Sequence, residues 1–381
     1  MASVNVIKFL DKYIGSSLCL FLSINKLFRH KKNLRYKNIL IIQLWGIGET
    51  ILTLPAIEAL RSQYKKSSID ILVTERNKEI YYKNKCINNV KVLKLNPISI
   101  VVFIIKNYEM YDLVIDMEEY LNISALITFF VGKGRIGYSH GIRSTLYEQK
   151  VGYNDKQHVV YTFLDLLKPL GIKKTVEKLP QLNYSKNGRN VVDRFLKSKK
   201  ITKKDSVVGI APGAAESAKS RIWPLDKYIE LCNNILINKK NKVVFIGSKD
   251  ENEIINKIQN GIKENNKTLN TAGLFNLNEL FCLIESCSLF IGNDAGPMHI
   301  AAAQGIKTIG LFGPNLPVRF APYGKNNISV YKPDCKFSPC INVHKGQVPD
   351  CLYAKNSKDY QKCMKNIKVN DVLKEIRKLK I

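Results

Sequence analysis

Residues 38–63 read NILIIQLWGIGETILTLPAIEALRSQ and join an apolar strand to a helix through a turn that contains two glycines. In this turn Gly46 and Gly48 allow the backbone to bend sharply and to approach a ligand closely. The helix that follows offers free backbone amides to an anion. Ile51 stands where the dinucleotide fingerprint has its third glycine. The stretch therefore predicts a nucleotide-binding type of α/β unit without indicating NAD.

The rest of the chain repeats this alternation of short apolar strands and helical segments, which predicts parallel α/β sheets. The first half has predicted strands at 38–44, 69–73, 90–93, 113–116 and 135–138. The second half has predicted strands at 206–210, 242–246, 267–271, 289–292 and 308–312. Two similar halves predict two Rossmann-like domains that bind ligands at the carboxyl ends of their strands.

Length and composition agree with two domains, since the chain has 381 residues and 45% of them are hydrophobic. We predict a first domain at 38–180, a connector at 181–204 that is rich in Lys and Asn, and a second domain at 205–333. Residues 334–381 are predicted to form a cysteine-containing tail with a C-terminal helix. Residues 1–37 form a separate N-terminal segment.

This N-terminal segment combines an apolar helix face with a basic end. Its longest apolar stretch, 14–24, is too short to span a bilayer, and its charges follow the apolar part, unlike a secretory signal. The pattern predicts an amphipathic helix on an anionic membrane, with packing on the protein's own surface as the alternative. The residues at helical spacing are Ile7, Leu10, Ile14, Leu18 and Phe21, and the basic residues after them are Lys26, Arg29, Lys31, Lys32, Arg35 and Lys37.

The charge balance is strongly basic, with 60 Lys and Arg against 32 Asp and Glu and a net charge of +28. Such a balance indicates an anionic partner, which could be a membrane surface, a phosphorylated substrate or a nucleic acid. Because no motif that reads RNA or DNA accompanies the charge, we expect no nucleic-acid partner. Lysines distributed along solvated helix faces account for part of the excess.

Two loops of the second half carry residues suited to a nucleotide diphosphate. In APGAAESAKSRIWP, residues 211–224, Gly213 lets backbone amides approach a phosphate, and Lys219 or Arg221 can neutralise its charge. A turn with an ordinary surface cation is the alternative. In the loop after the next strand, Glu251 either holds ribose hydroxyls or caps a helix.

A third loop, IGNDAGPMHIAAA at residues 291–303, opens an alanine-rich helix. Its turn presents amides and the positive end of a helix dipole to a diphosphate through Ala295 and Gly296. Asp294 binds sugar hydroxyls, orients a neighbour or acts as an N-cap. His299 contributes a hydrogen bond or is a structural histidine.

Glu49 begins the first helix and has two interpretations. A carboxylate in a helix's first turn interacts favourably with the dipole. The other interpretation is a general base that takes a proton from an acceptor hydroxyl. The helix N-terminus lowers the pKa of such a base unless desolvation opposes it.

The nine cysteines, without a secretory signal, argue against a disulfide framework. Four of them, Cys335, Cys340, Cys351 and Cys363, cluster near the C-terminus with His344 among them. Four thiols could bind structural zinc, although none has the C-x-x-C spacing. Buried free thiols or one disulfide are the alternatives.

The order GIGETILTLPAIEALRSQY, PGA…KSRIWP, GNDAGPMHIAAAQG and LFGP resembles the ADP-heptose–lipopolysaccharide heptosyltransferase family over roughly residues 38–370. The resemblance implies the GT-B fold, in which two Rossmann-like domains face a central cleft. It implies inverting, metal-independent transfer of a sugar, commonly heptose from ADP-heptose, onto a lipopolysaccharide or lipooligosaccharide core. The acceptor would bind the first domain and the donor the second.

Residue roles follow from the resemblance by position. Glu49 matches the catalytic acidic residue, which is usually Asp in the family, and its neighbours Gly46, Gly48 and Thr50 form the acceptor-side loop. The longer side chain displaces the base by about 1 Å, a scale that matters in catalysis. In the second domain, Arg221 matches a phosphate-binding residue, Asp294, Ala295 and Gly296 match the donor turn, and Glu251 loosely matches a ribose-binding acid. Pro297 lacks an N–H that could serve the donor.

The resemblance therefore implies a glycosyltransferase that needs no cofactor and no divalent metal. Its expected partners are a nucleotide-sugar donor, a lipid-linked oligosaccharide acceptor and the anionic inner face of the cytoplasmic membrane, and the expected oligomeric state is a monomer. Two alternatives stay open. One is a GT-B-like sugar-nucleotide epimerase or hydrolase, and the other is a non-catalytic protein that associates with anionic membranes or nucleic acid.

Overall fold

A computed structural model describes residues 11–25 and 36–379, except 203, 215 and 333. The chain divides into two compact units, Met1–Val176 (unit 1) and Glu177–Ile381 (unit 2). Residues 181–204, which we predicted as a connector, belong to unit 2 and include a helix.

Unit 1 contains a six-stranded sheet in which every strand pair is parallel, in the order β3-β2-β1-β4-β5-β6. The five predicted strands are present, and a short sixth strand was not predicted. The strands are β1 Asn38–Ile42, β2 Ser68–Val73, β3 Asn89–Val92, β4 Tyr111–Asp116, β5 Gly132–Tyr138 and β6 Gln149–Val151. The helices are α1 Ser16–Asn25, which follows a π-helical turn at Asp11–Gly15, α2 Ile47–Gln63, α3 Pro97–Lys106, α4 Asn122–Val131 and α5 Val159–Asp165.

Unit 2 repeats this topology with a second parallel sheet, in the order β12-β11-β10-β7-β8-β9. Its last strand, at the sheet edge, was again not predicted. The strands are β7 Ser206–Ala211, β8 Asn241–Phe245, β9 Thr268–Asn270, β10 Leu289–Asn293, β11 Lys307–Phe312 and β12 Asn327–Tyr331. The helices are α6 Lys186–Ser198, α7 Leu225–Ile235, α8 Asn252–Asn260, α9 Leu277–Glu285, α10 Gly296–Ala303, α11 Pro317–Phe320, α12 Lys362–Lys365 and α13 Val369–Lys378. The predicted α/β class with two Rossmann-like sheets is confirmed.

The central strands are mostly apolar, as expected where helices cover both faces of a parallel sheet. Residues 39–42 of β1, for example, are completely buried. In both sheets the strand order reverses between the first and the fourth strand, which are β1 and β4 in unit 1 and β7 and β10 in unit 2. Ligands of such folds bind at the carboxyl ends of the strands where the order reverses.

The N-terminal helix α1 packs one face against unit 1. Gly15 and Cys19 are buried there, and Cys19 belongs to an apolar cluster with residues of α4. The Asp11 carboxylate accepts hydrogen bonds from the amides of Asn122 (3.0 Å) and Ile123 (2.7 Å) at the start of α4. The packing alternative therefore holds for this face of α1, while its other face is exposed. Of the predicted face and basic run, Ile7, Leu10 and residues 26–35 lie outside the described residues.

We expect Asp11→Ala to loosen α1, since it removes the acceptor for two amides at the start of α4. Burial raises the pKa of this carboxyl, and the two amides oppose that rise. Loss of these two hydrogen bonds should lower the free energy of unfolding by about 1–2 kcal/mol, measured by chemical denaturation. It should also hasten proteolysis between α1 and β1. The exposed Lys12→Ala variant is the control, and equal stability of both variants would contradict the role given to Asp11.

Among the described residues, no helix is both long and apolar enough to cross a membrane.

Candidate functional site

The glycine turn of unit 1 lies at the end of β1, where the strand order reverses. Gly46 has a φ of 75°, a left-handed conformation that favours glycine, and it is the N-cap of α2. Glu49 is half-buried in the first turn of α2, and a β-carbon at position 46 would collide with its carboxylate. The Glu49 side chain therefore folds back over Gly46, and a larger residue at position 46 would displace it.

The other predicted residues of this turn support its shape. Gly48 is buried, and Thr50 is completely buried. The Thr50 hydroxyl donates to the Gly46 carbonyl at 2.6 Å and accepts from Asn77 Nδ2 at 2.9 Å. Asn77 also donates to the carbonyl of Gln43, so it ties the turn to β1. The Thr50 hydroxyl is thus engaged within the unit.

A buried carboxylate that the sequence did not reveal holds the end of β1. Glu118, which follows β4 and is 3% exposed, accepts hydrogen bonds through Oε1 from the amides of Leu44 (2.5 Å) and Trp45 (2.8 Å). Gln43 Nε2 donates to the same oxygen at 3.2 Å. Burial and the charge of Asp116 raise the pKa of Glu118 to about 8, against the lowering effect of the two amides.

Behind Glu118 lies a buried ion pair. Arg143 Nη2 donates to Asp116 Oδ2 at 2.7 Å, and the Tyr147 hydroxyl donates to the same oxygen at 2.6 Å. Arg143 Nη1 donates to the Glu118 carbonyl at 2.5 Å. A buried charge pair with further hydrogen bonds of this kind fixes the backbone that carries it. The 116–118 segment is therefore held from both sides.

Further polar groups line the same edge of the sheet. Glu119, which is 4% exposed, accepts a 2.5 Å hydrogen bond from the Tyr153 hydroxyl, and His140 contacts its carbonyl oxygen at 2.5 Å. Burial and the charges of Glu118, Glu49 and Glu119 raise the pKa of the Tyr120 hydroxyl. Glu49 therefore belongs to a cluster of acids and phenols that can bind the hydroxyls of a sugar.

In unit 2, Asn293 at the end of β10 organises the first predicted loop. Its Nδ2 donates to the carbonyls of Pro212 (2.8 Å) and Gly213 (3.1 Å). Its Oδ1 accepts from the Trp223 amide (3.3 Å) and the Tyr228 hydroxyl (3.0 Å). With all four contacts used, Asn293 joins the loop after β7 to the start of α7.

Arg221 and Asp294 form a pair beside this loop. Arg221 Nη1 donates to the Asp294 carbonyl at 2.8 Å and lies 3.3 Å from its Oδ2. Asn315 Nδ2 donates to Asp294 Oδ2 at 2.8 Å. The N-cap of α10 is Ala295, without a side-chain cap, so the N-cap alternative for Asp294 is wrong. Asp294 instead orients a neighbour, the Arg221 guanidinium.

The remaining predicted donor residues lie around this pair in different environments. Gly296 begins α10, and His299 is only 3% exposed in the same helix. Lys219 is exposed. The Glu251 carboxylate accepts from the Ser248 amide at 2.6 Å in a capping box, and a β-carbon at Gly213 would collide with it. Glu251 thus caps a helix and also touches the first loop. Ala215 lies outside the described residues.

The four C-terminal cysteines line one cavity together with Ser220 and Tyr353. All four are free thiols. Burial raises the pKa of Cys340 to about 11 and that of Cys363 to about 12. Within the described part of the chain, no three His, Cys, Asp or Glu side chains are placed to hold a metal ion. The geometry therefore gives no support to the zinc hypothesis.

The known proteins that this chain is similar to are heptosyltransferases. The model of glycosyltransferase family 9 (heptosyltransferase) matches residues 106–347. Lipooligosaccharide heptosyltransferase 2 of Campylobacter jejuni (serotype O:6) is 30% identical over 175 residues, 45% of this chain and 51% of that protein, so this match spans about half of the relative. The Haemophilus ducreyi protein of the same name is 25% identical over 82% of this chain and 92% of its own length.

Solved structures share the fold. A family 9 glycosyltransferase from Veillonella parvula superposes with a TM-score of 0.78 at 22% identity, covering 92% of this chain and 99% of that one. Escherichia coli ADP-heptose lps heptosyltransferase II superposes with a TM-score of 0.71 at 20% identity, and the match covers 90% of this chain and 98% of that one. The iron-containing dodecameric glycosyltransferase TibC from enterotoxigenic E. coli superposes with a TM-score of 0.57 at 14% identity. This match covers 92% of this chain and 77% of that one.

The two sheets and their polar edges thus define an enzyme with the GT-B fold. The chain belongs to glycosyltransferase family 9, the heptosyltransferase family, and is a glycosyltransferase.

We expect Glu118 to make stability depend on pH. Because its pKa in the folded state, about 8, is raised above the ordinary carboxyl value, its contribution to stability is present at low pH and is lost as pH rises through about 8. Glu118→Gln keeps an oxygen for the amides of Leu44 and Trp45 but cannot ionise. Chemical denaturation from about pH 5 to about pH 9 should show a smaller loss of stability for this variant than for the wild type.

The matched control is Glu75→Gln, which removes a surface carboxylate from an exposed pair with Lys78 and should leave the pH dependence unchanged. Glu118→Ala removes the acceptor altogether and should cost about 2–4 kcal/mol at low pH, and less as the pH rises through about 8. Equal pH dependence in the wild type and Glu118→Gln would refute the raised pKa.

Proposed function

We propose that this chain transfers heptose from ADP-heptose onto a lipid-linked lipopolysaccharide or lipooligosaccharide core, as a peripheral protein at the inner face of the cytoplasmic membrane. The proposal rests on one observation, which is that each sheet carries a group that the reaction needs at the place where its strand order reverses. In unit 1 this group is the Glu49 carboxylate, and in unit 2 it is the Arg221 guanidinium, which Asp294 holds. The names of the lipooligosaccharide heptosyltransferases support the sugar and the acceptor, and the name of the E. coli ADP-heptose lps heptosyltransferase II supports the donor nucleotide.

Unit 1 supplies the acceptor side. Glu49 takes the proton of an acceptor hydroxyl as that oxygen attacks the anomeric carbon of the donor. The new bond forms on the face opposite the nucleotide, so the anomeric configuration inverts, and the bond between the anomeric carbon and the diphosphate oxygen breaks. Glu118 and Asn77 hold the turn from which Glu49 projects, which keeps the base in place.

Unit 2 supplies the donor side. Two of the Arg221 contacts, to the Asp294 carbonyl and carboxylate, fix the guanidinium. The Arg221 side chain is 16% exposed, so its accessible edge can meet a diphosphate oxygen. Arg221, Lys219 and the amides of Gly213 and Gly296 stabilise the charge of the departing ADP without a divalent metal. Glu251 contacts the ribose.

Removing the base should separate chemistry from binding. We expect Glu49→Gln to lower single-turnover transfer from ADP-heptose to a core acceptor by at least about 100-fold, while the Kd of ADP-heptose stays within twofold. Glu49→Asp keeps the carboxylate and should retain more activity than Glu49→Gln. If neither ADP-heptose nor any other nucleotide sugar binds or reacts, the proposal fails.

The same assay distinguishes other reactions. Release of ADP at full rate without acceptor would indicate a hydrolase, and conversion of the sugar nucleotide alone would indicate an epimerase. Transfer that is lost on chelation and restored by a metal would contradict the metal-independent step.

Removing the cation should weaken the donor side. We expect Arg221→Ala to raise the KM for ADP-heptose and to lower kcat, for a loss in kcat/KM of about 100-fold or more. Asp294→Asn loses the ion pair with Arg221 and weakens the hydrogen bond with Asn315. Its kcat/KM should therefore lie between that of Arg221→Ala and that of the wild type. Lys325→Ala, which changes an exposed cation of unit 2, is the control and should not alter KM.

A further inference from the structure

Helix α3 of unit 1 is apolar on both faces. Its inner face packs Ile100, Phe103 and Ile104 against the core. Its outer face exposes Ile98 (78%) and Ile105 (70%), and no residue of the helix is buried. A helix that is apolar all round is normally enclosed by protein or lipid. The remaining exposed apolar residues of this helix and its end are Val101, Val102, Tyr108 and Met110.

The N-terminal helix α1 has a similar outer face. While Cys19 packs inward, Leu18 (45%) and Phe21 (64%) point outward. Helix α1 therefore has two apolar faces. One packs against the rest of unit 1, and the other is exposed. The other exposed apolar residues of this helix and the preceding turn are Tyr13, Ile14, Leu20 and Ile24.

The two outer faces belong to helices that contact the same helix of unit 1. Both α1 and α3 pack against α4, which lies between them. Ile123 of α4 packs against the apolar cluster on each side. We call the exposed residues of α1 and α3 together the apolar shelf. Because both helices flank the same helix, the shelf can meet one flat apolar partner.

The charge around the shelf is basic. No Asp or Glu occurs from residue 80 to residue 108, and this stretch contains Lys91, Lys94 and Lys106. No Asp or Glu occurs from residue 12 to residue 48 either, a stretch with Lys12, Lys37 and the basic residues that follow α1 in sequence. Apolar side chains with cations near them in sequence suit the interface of an anionic bilayer.

We propose that the apolar shelf docks unit 1 on an anionic lipid bilayer, with the outer faces of α1 and α3 inserted among the acyl chains and the surrounding lysines at the headgroups. Lys12 lies 5.5 Å from the centre of the Tyr13 ring, an arrangement in which an aromatic ring and a cation share the interface. This inference rests on the proposed function, which places the chain at the membrane surface, and it assigns the residues that contact the lipid.

Co-sedimentation of the full chain with vesicles tests this surface without donor or acceptor, so its outcome is independent of the transfer reaction. We expect binding to vesicles of equal parts phosphatidylglycerol and phosphatidylcholine, and binding at least about tenfold weaker to phosphatidylcholine alone. The variants I98E/I105E and L18E/F21E should each weaken binding to the anionic vesicles by at least about tenfold.

The matched control is I237E/L274E, which changes two exposed apolar residues of unit 2, 76% and 58% exposed, and should bind as the wild type does. Hydrogen–deuterium exchange of the unmodified protein should show protection of 16–25 and 97–106 on adding anionic vesicles, whatever the variants do to folding.

Three results would overturn the assignment. They are no binding of the wild type to anionic vesicles, unchanged binding by both shelf variants, or a dimer of the wild type that I98E/I105E converts to a monomer while vesicle binding is retained. The last result would assign the shelf to a second copy of the chain.

Discussion

Each unit depends on a side chain that reaches across the point where its strand order reverses and holds the loop on the other side. In unit 1 this side chain is Glu118, after the fourth strand, and it accepts from backbone amides at the end of the first strand. In unit 2 it is Asn293, at the end of the fourth strand, and it donates to backbone carbonyls after the first strand. The two contacts occupy matching places in matching sheets.

Their opposite polarity separates the two units chemically. Asn293 Nδ2 donates to the carbonyls of Pro212 and Gly213, which leaves the Gly213 amide available to an anion. Glu118 uses the amides of Leu44 and Trp45 and adds a buried carboxyl group at the same place. This difference supports the proposed placement of the diphosphate in unit 2 and of a hydroxyl acceptor in unit 1.

Sequence reasoning found the elements that depend on neighbouring residues. The glycine turn at Gly46, ten of the twelve strands and the loop at Asp294 all carry local patterns of hydrophobicity and small residues. The two missed strands, β6 and β12, are edge strands whose pairing is decided by the sheet. Asp294 was open to an N-cap interpretation because the exact start of α10 depends on backbone angles at Ala295.

The residues that sequence reasoning missed act over long separations. Glu118 bonds to residues far earlier in the chain, and Asn315 reaches Asp294 from the loop after β11. No spacing rule connects such positions, since only the parallel sheet brings them together. The outer face of α3 was missed for a different reason, because an apolar run between two strands is typical of a helix covered by its own domain.

The Asp11 cap has a mechanical consequence. It ties the N-terminal helix to the first amides of α4, and α4 begins directly after the loop that carries Glu118 and Glu119. A force on the N-terminal helix is therefore transmitted, through the two hydrogen bonds of Asp11, to the backbone beside Glu118 and Glu119. Detaching that helix would leave two amides unsatisfied at a distance of only a few residues from Glu118.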